Sequence, residues 1–160
     1  MDDLARRVLD LCRSAGLKVA TAESCTGGMV AAALTDIAGS SDVVERGFVT
    51  YANEAKTELL GVPAELIMAK GAVSQEVAQA MAEGALARAP VGLTVAITGV
   101  AGPGGGSLEK PVGLVWFGVA RRGATATTEK QIFAGDRSAI RRAATHHALA
   151  LLAAAAQTKI

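Results

Sequence analysis

Aromatic side chains are scarce in this chain of 160 residues, with three Phe, one Tyr and one Trp. Little is therefore available on which nucleic-acid bases could stack. Basic charge is no more concentrated than aromatic surface: 16 Lys and Arg stand against 15 Asp and Glu, a formal net charge of +1. A phosphodiester backbone calls for a concentrated basic face, and outside one C-terminal cluster these cations are scattered, so nucleic acid is not an expected partner. Cysteine is nearly absent. Cys12 and Cys25 are the only two, and without a CxxC or Cys/His spacing they exclude a disulfide framework and a structural zinc site. No apolar run reaches membrane-spanning length. The opening Met1-Asp2-Asp3-Leu4-Ala5-Arg6-Arg7 places acids before bases and has no signal-like apolar run behind it, so the expected setting is the cytoplasm, with no membrane partner.

What is present is an ordinary globular composition, 51% hydrophobic and 19% charged and rich in Ala and Gly. The length suits one domain, residues 1–160, with a full core. Asp3 to Ser14 carries a helical stripe of Leu4, Val8, Leu11 and Cys12, ended by Gly16. Leu17 to Ala22 reads as a strand, followed by the turn Glu23-Ser24-Cys25-Thr26-Gly27-Gly28 and an apolar helix from Met29 to Leu34. That geometry bares backbone N–H groups at a helix start and predicts an anion site there.

A loop at Gly39 then leads to a strand over Arg46 to Tyr51 and a helix with Asn53 as N-cap. Two short helices end at Gly71, and Ser74 caps a longer one. Leu93 to Thr98 and Val112 to Ala120 read as strands separated by the loop Gly99 to Ser107. Thr127 to Phe133 forms a hairpin with the second of these across Arg121-Arg122-Gly123-Ala124. Asp136 opens a long terminal helix. This order predicts a three-layer α/β/α sandwich around a mixed five-stranded sheet.

The stretch from Gly39 to Lys56 holds three chemically useful groups, Ser41, Tyr51 and Lys56. A lysine in the first turn of a helix meets the positive end of the dipole, which favours the neutral amine. A neutral amine can activate a serine hydroxyl, as in Ser-Lys variants of the serine hydrolases, and Tyr51 could relay a proton. Spacing alone favours the plainer reading, a serine-containing turn and a solvated lysine. The Gly99 to Ser107 loop matches neither a P-loop nor a dinucleotide fingerprint, and reads as either a ligand-gripping loop or a long connection. Cys25 reads as pocket lining, since His146 and His147 both lie in the last helix, His147 on its apolar side. Arg137, with Arg141 one turn on, is either a phosphate clamp or a solvated helix end.

Together, Ala20 to Gly28, Gly39-Ser40-Ser41, Arg46 to Lys56, Gly71 to Ser74, Thr98 to Pro103, Lys110 to Gly113 and Gly135-Asp136-Arg137 resemble the CinA C-terminal domain family over nearly the whole chain. The resemblance implies a nicotinamide-nucleotide amidase. Such an enzyme hydrolyses nicotinamide mononucleotide to nicotinate mononucleotide and ammonia, in pyridine-nucleotide salvage, with no metal or cofactor. It implies Ser41 as nucleophile, Lys56 as base and Tyr51 as proton relay, with Ser24, Cys25, Thr26, Gly27, Thr98, Gly102 and Arg137 binding substrate. It also implies a homodimer. Larger members carry an N-terminal domain resembling molybdopterin-binding proteins, to which no part of this sequence corresponds. Two other accounts compete: a nucleotide-binding module without hydrolysis, and a cysteine-dependent amidohydrolase using Cys25.

Overall fold

The computed structural model describes residues 1–160. Its elements run α1 (Asp2–Ser14), β1 (Val19–Glu23), α2 (Met29–Thr35), a 3-10 turn (Ser40–Asp42), β2 (Val44–Val49), α3 (Asn53–Leu60), α4 (Ala64–Lys70), α5 (Gln75–Arg88), β3 (Leu93–Gly99), β4 (Leu114–Arg121), β5 (Thr127–Ile132) and α6 (Arg137–Gln157). The sheet order is β2-β1-β3-β4-β5. β1 runs parallel to β2 and β3, whereas β4 runs antiparallel to both β3 and β5. The mixed five-stranded sheet between two helical layers therefore stands as expected.

Side-chain size divides the two faces. On one, Val19, Val95, Ile97, Val115 and Phe117 pack with Val8 and Leu9 of α1, Leu34 of α2 and Ile140, Leu149 and Leu152 of α6. On the other, small residues such as Ala22, Ala96 and Ala120 meet Val77, Met81 and Ala85 of α5, with Leu60 and Ile67 from α3 and α4. The small residues let α5 approach closely. A Cβ on Gly118 would lie 2.3 Å from the Ala78 carbonyl oxygen, and one on Gly84 would lie 2.0 Å from that of Leu60. All five residues of β1 are buried, as a central parallel strand covered on both faces requires.

Several boundaries shift from the sequence reading. β2 ends at Val49, because Glu23, the last residue of its partner β1, pairs there; Thr50 still follows on through its N–H to the Glu23 carbonyl (2.9 Å). The N-cap of α3 is Ala52, with no side-chain cap, and Asn53 is the first helical residue. Ser74 and Asp136 do cap α5 and α6, accepting from the N–H groups of Val77 and Ala139. No helix is long and apolar enough to cross a membrane.

The chain crosses from β1 to β2 through α2 on one face and from β2 to β3 through α3, α4 and α5 on the other. The carboxyl ends of β1 and β3 are thus a topological switch point, where connections diverge and leave a crevice.

Candidate active site

The crevice at that switch point is a cleft of about 300 Å³. Ser24 and Cys25 reach it from the end of β1, Thr98 to Gly102 from the end of β3, Tyr51 and Lys56 from the far side of β2, and Arg137 from the start of α6. At its base lies Lys56, only 1% exposed despite its charge-bearing end. Its Nζ stands 3.0 Å from the Thr50 carbonyl oxygen, 3.3 Å from that of Tyr51 and 3.1 Å from Ser24 Oγ. Burial pushes the Lys56 amine below its ordinary value of 10.5, against smaller opposing effects of Cys25 and Glu54. As an ammonium Nζ donates to all three oxygens; as a neutral amine it can donate to the two carbonyls and accept from the serine hydroxyl.

Ser41 is not part of this arrangement. It is exposed, in the 3-10 turn that precedes β2, where the neighbouring Asp42 is held by Arg13 of α1 (Nε to Oδ2, 2.6 Å). Lys56 lies beyond the opposite end of the same strand, and six extended residues span about 20 Å. Proximity in sequence is not proximity in space here, because the intervening strand carries the chain across the sheet. The serine beside Lys56 is Ser24, expected only to bind substrate.

The other expected residues divide between cleft and support. Tyr51 lines the opening, 60% exposed, and its hydroxyl accepts from Arg137 Nη2 at 2.9 Å, while Arg137 Nη1 donates to the Gly102 carbonyl at 2.8 Å. That pair of bonds ties the β2, β3 and α6 sides of the cleft together. Thr98 also lines it, its Oγ1 donating to the Ala72 carbonyl (2.8 Å). Thr26 and Gly27 do not line it; the turn they form is braced from outside by Arg141, which donates to the carbonyls of Cys25 (2.9 Å) and Thr26 (3.3 Å). Arg141 is therefore a brace for the turn.

Cys25 lines the cleft as expected, but burial pushes its thiol up to about 11, which disfavours the thiolate a cysteine nucleophile needs. No histidine stands near it. His147 packs against Phe117 and Phe133 and pairs with Glu129 of β5.

The expected anion site at the start of α2 is already filled from within. Glu23, fully buried, directs Oε1 to the N–H of Val30 (2.9 Å) and Oε2 to that of Ala31 (3.1 Å). The N–H groups of Val30 and Ala31 are thus taken by the chain itself and are not open to a substrate anion. Asn53, Val73, Gly99, Val100, Gly104 and Gly105 also line the cleft. Of these, only the glycine loop was read in the sequence as a possible ligand contact.

With this geometry in view, a model of the CinA C-terminal domain matches residues 1–156. The chain belongs to the CinA C-terminal domain family. Within it, the chain is 52% identical over 149 residues to the nicotinamide-nucleotide amidohydrolase PncC of Escherichia coli K12, covering 93% of this chain and 90% of that one. It is 54% identical over 134 residues to a CinA-like protein of Akkermansia muciniphila, but spans only 32% of that longer protein. The crystal structure of the competence/damage inducible protein CihA from Agrobacterium tumefaciens superposes with a TM-score of 0.95 at 50% identity, covering 98% of this chain and 95% of that one. CinA-domain relatives thus include both proteins of this size and much longer ones.

Proposed function

We propose that this CinA-family chain hydrolyses the carboxamide of nicotinamide mononucleotide, with Ser24 as nucleophile and Lys56 as its base. Amidase activity is supported by the 52% identity to an amidohydrolase along nine-tenths of both chains. The observation that carries the mechanism is the buried Lys56 amine 3.1 Å from the Ser24 hydroxyl at the floor of a cleft.

In this mechanism Ser24 Oγ attacks the carboxamide carbon while its proton passes to Lys56 Nζ. The carbonyl π electrons move onto oxygen. As the tetrahedral intermediate collapses, the C–N bond breaks and the nitrogen takes a proton from the Lys56 ammonium, leaving as ammonia. A water molecule then gives its proton to Lys56 and its oxygen to the acyl carbon, and the ester bond to Ser24 breaks as Oγ regains a proton. The N–H of Cys25, one residue past the nucleophile, makes no hydrogen bond to another backbone group. In this reading it donates to the developing oxyanion, and such a donor contributes about 3 kcal/mol. Tyr51, whose hydroxyl oxygen accepts from Arg137, relays the proton of the collapse step: its O–H donates to the leaving nitrogen as the oxygen takes the proton from the Lys56 ammonium.

Ammonia release from a panel of nicotinamide mononucleotide, nicotinamide riboside and free nicotinamide tests the reading. Turnover of the mononucleotide above the other two is expected; none with any of the three refutes it. The reading also retains a homodimer and a cytoplasmic setting, which sedimentation and cell fractionation test.

A further inference from the structure

The residue just before Ser24 has no place in that chemistry, yet its side chain is fully buried and hydrogen-bonded at both oxygens. Glu23 is 0% exposed, in a fold where buried carboxyl groups need partners. Both its oxygens are engaged: Oε1 by the Val30 N–H, Oε2 by the Ala31 N–H and by Thr21 Oγ1 at 3.3 Å. The side chain reaches forward over the whole Ser24 to Met29 turn, so the turn is closed at both ends by one residue. Its main chain acts on the other partner: the Glu23 carbonyl accepts from the Thr50 N–H at 2.9 Å, and Thr50 in turn offers its carbonyl to Lys56 Nζ at 3.0 Å. The packing around it leaves no slack. A Cβ on Gly47, across the strand pair from Thr21, would lie 2.8 Å from Thr21 Oγ1 and 3.3 Å from the Ala31 Cβ.

We propose that Glu23 is a positioning residue of the Ser24–Lys56 site, its carboxylate locking the start of α2 to β1 so that the Ser24 hydroxyl is held at the Lys56 amine. This rests on the assignment of Ser24 and Lys56 above. A group that only stabilised the fold would affect unfolding and leave the reactivity of the folded site alone. A positioning group sets the distance between two reacting atoms, where a displacement near 1 Å can lower turnover about 100-fold.

Glu23→Gln keeps the shape but turns an NH2 toward a backbone N–H that needs an acceptor; Glu23→Asp keeps the charge and cannot span both N–H groups. Steady-state ammonia release from nicotinamide mononucleotide and the labelling rate of Ser24 by a fluorophosphonate, read by mass spectrometry, are compared well below each variant's melting temperature. Folded Glu23→Gln should lose about 10- to 100-fold in kcat with KM within about twofold of wild type, and labelling should slow in parallel. Glu23→Asp should fall between the two, and it decides the matter if Glu23→Gln does not fold. Either folded variant with wild-type kcat and labelling, differing only in melting temperature, overturns the proposal. Wild-type protein that labels at Ser24 but leaves nicotinamide mononucleotide intact refutes the substrate while the labelling comparison still decides the role of Glu23.

Discussion

Replacing Lys56 by Met removes the amine from a site only 1% exposed and leaves a side chain of similar reach. Two consequences follow from one cause, the depressed pKa of the buried amine. The first is thermodynamic. With its pKa below 10.5 in the folded protein and at its ordinary value in the unfolded chain, Lys56 binds more protons when unfolded throughout the window between those values. Stability due to this group therefore rises with pH across the window and levels off above it, with a slope approaching about 1.4 kcal/mol per pH unit where only the unfolded form is protonated. Lys56→Met lacks that slope. Urea unfolding of both proteins at steps from pH 7 to 11 should show the wild type gaining on the variant as pH rises, until the difference levels near the ordinary lysine value. The second consequence is kinetic: loss of the base should lower kcat by about 10²- to 10⁴-fold. Parallel stability curves, or a variant that releases ammonia at the wild-type rate, would refute the assignment of Lys56 as a buried neutral base.

Other substitutions test the surrounding geometry. Tyr51→Phe removes the acceptor of Arg137 Nη2 and should lower kcat by about 10-fold or more with little change in melting temperature, as measured by ammonia release and scanning calorimetry. Cys25, buried and with its thiol pushed up to about 11, should resist iodoacetamide at pH 7.5 while folded and react on unfolding; rapid modification of the native protein would contradict its placement. Gly84→Ala drives a methyl group to 2.0 Å from the Leu60 carbonyl oxygen and should cost about 1–3 kcal/mol, several degrees in melting temperature.

The layers of the fold were legible because each rests on local chemistry. Ser74 and Asp136 announce their helices as caps, Leu17 to Ala22 and Leu93 to Thr98 read as strands, and Arg121 to Ala124 marks a hairpin. Lys56, Tyr51, Thr98 and Arg137 were legible as site residues and do meet at one cleft. The pairing of Ser24 with Lys56 was not, because the bond between them joins residues 32 apart through the parallel pairing of β1 with β2. No local pattern encodes that pairing, whereas Ser41 sits only 15 positions from Lys56 and on the wrong end of a strand. The empty anion site expected at α2 failed for a related reason: Glu23 was visible in the motif, but only the folded turn aims its carboxylate at the helix start.

The most direct test of the account sets one serine against the other. Ser24→Ala and Ser41→Ala are purified, shown to be folded by circular dichroism, and assayed for ammonia release from nicotinamide mononucleotide. Ser24→Ala should lose about 10³-fold or more in kcat, and Ser41→Ala should stay within about twofold of wild type. A folded Ser24→Ala that retains turnover, or a folded Ser41→Ala that loses it, would contradict the placement of the reaction at the end of β1.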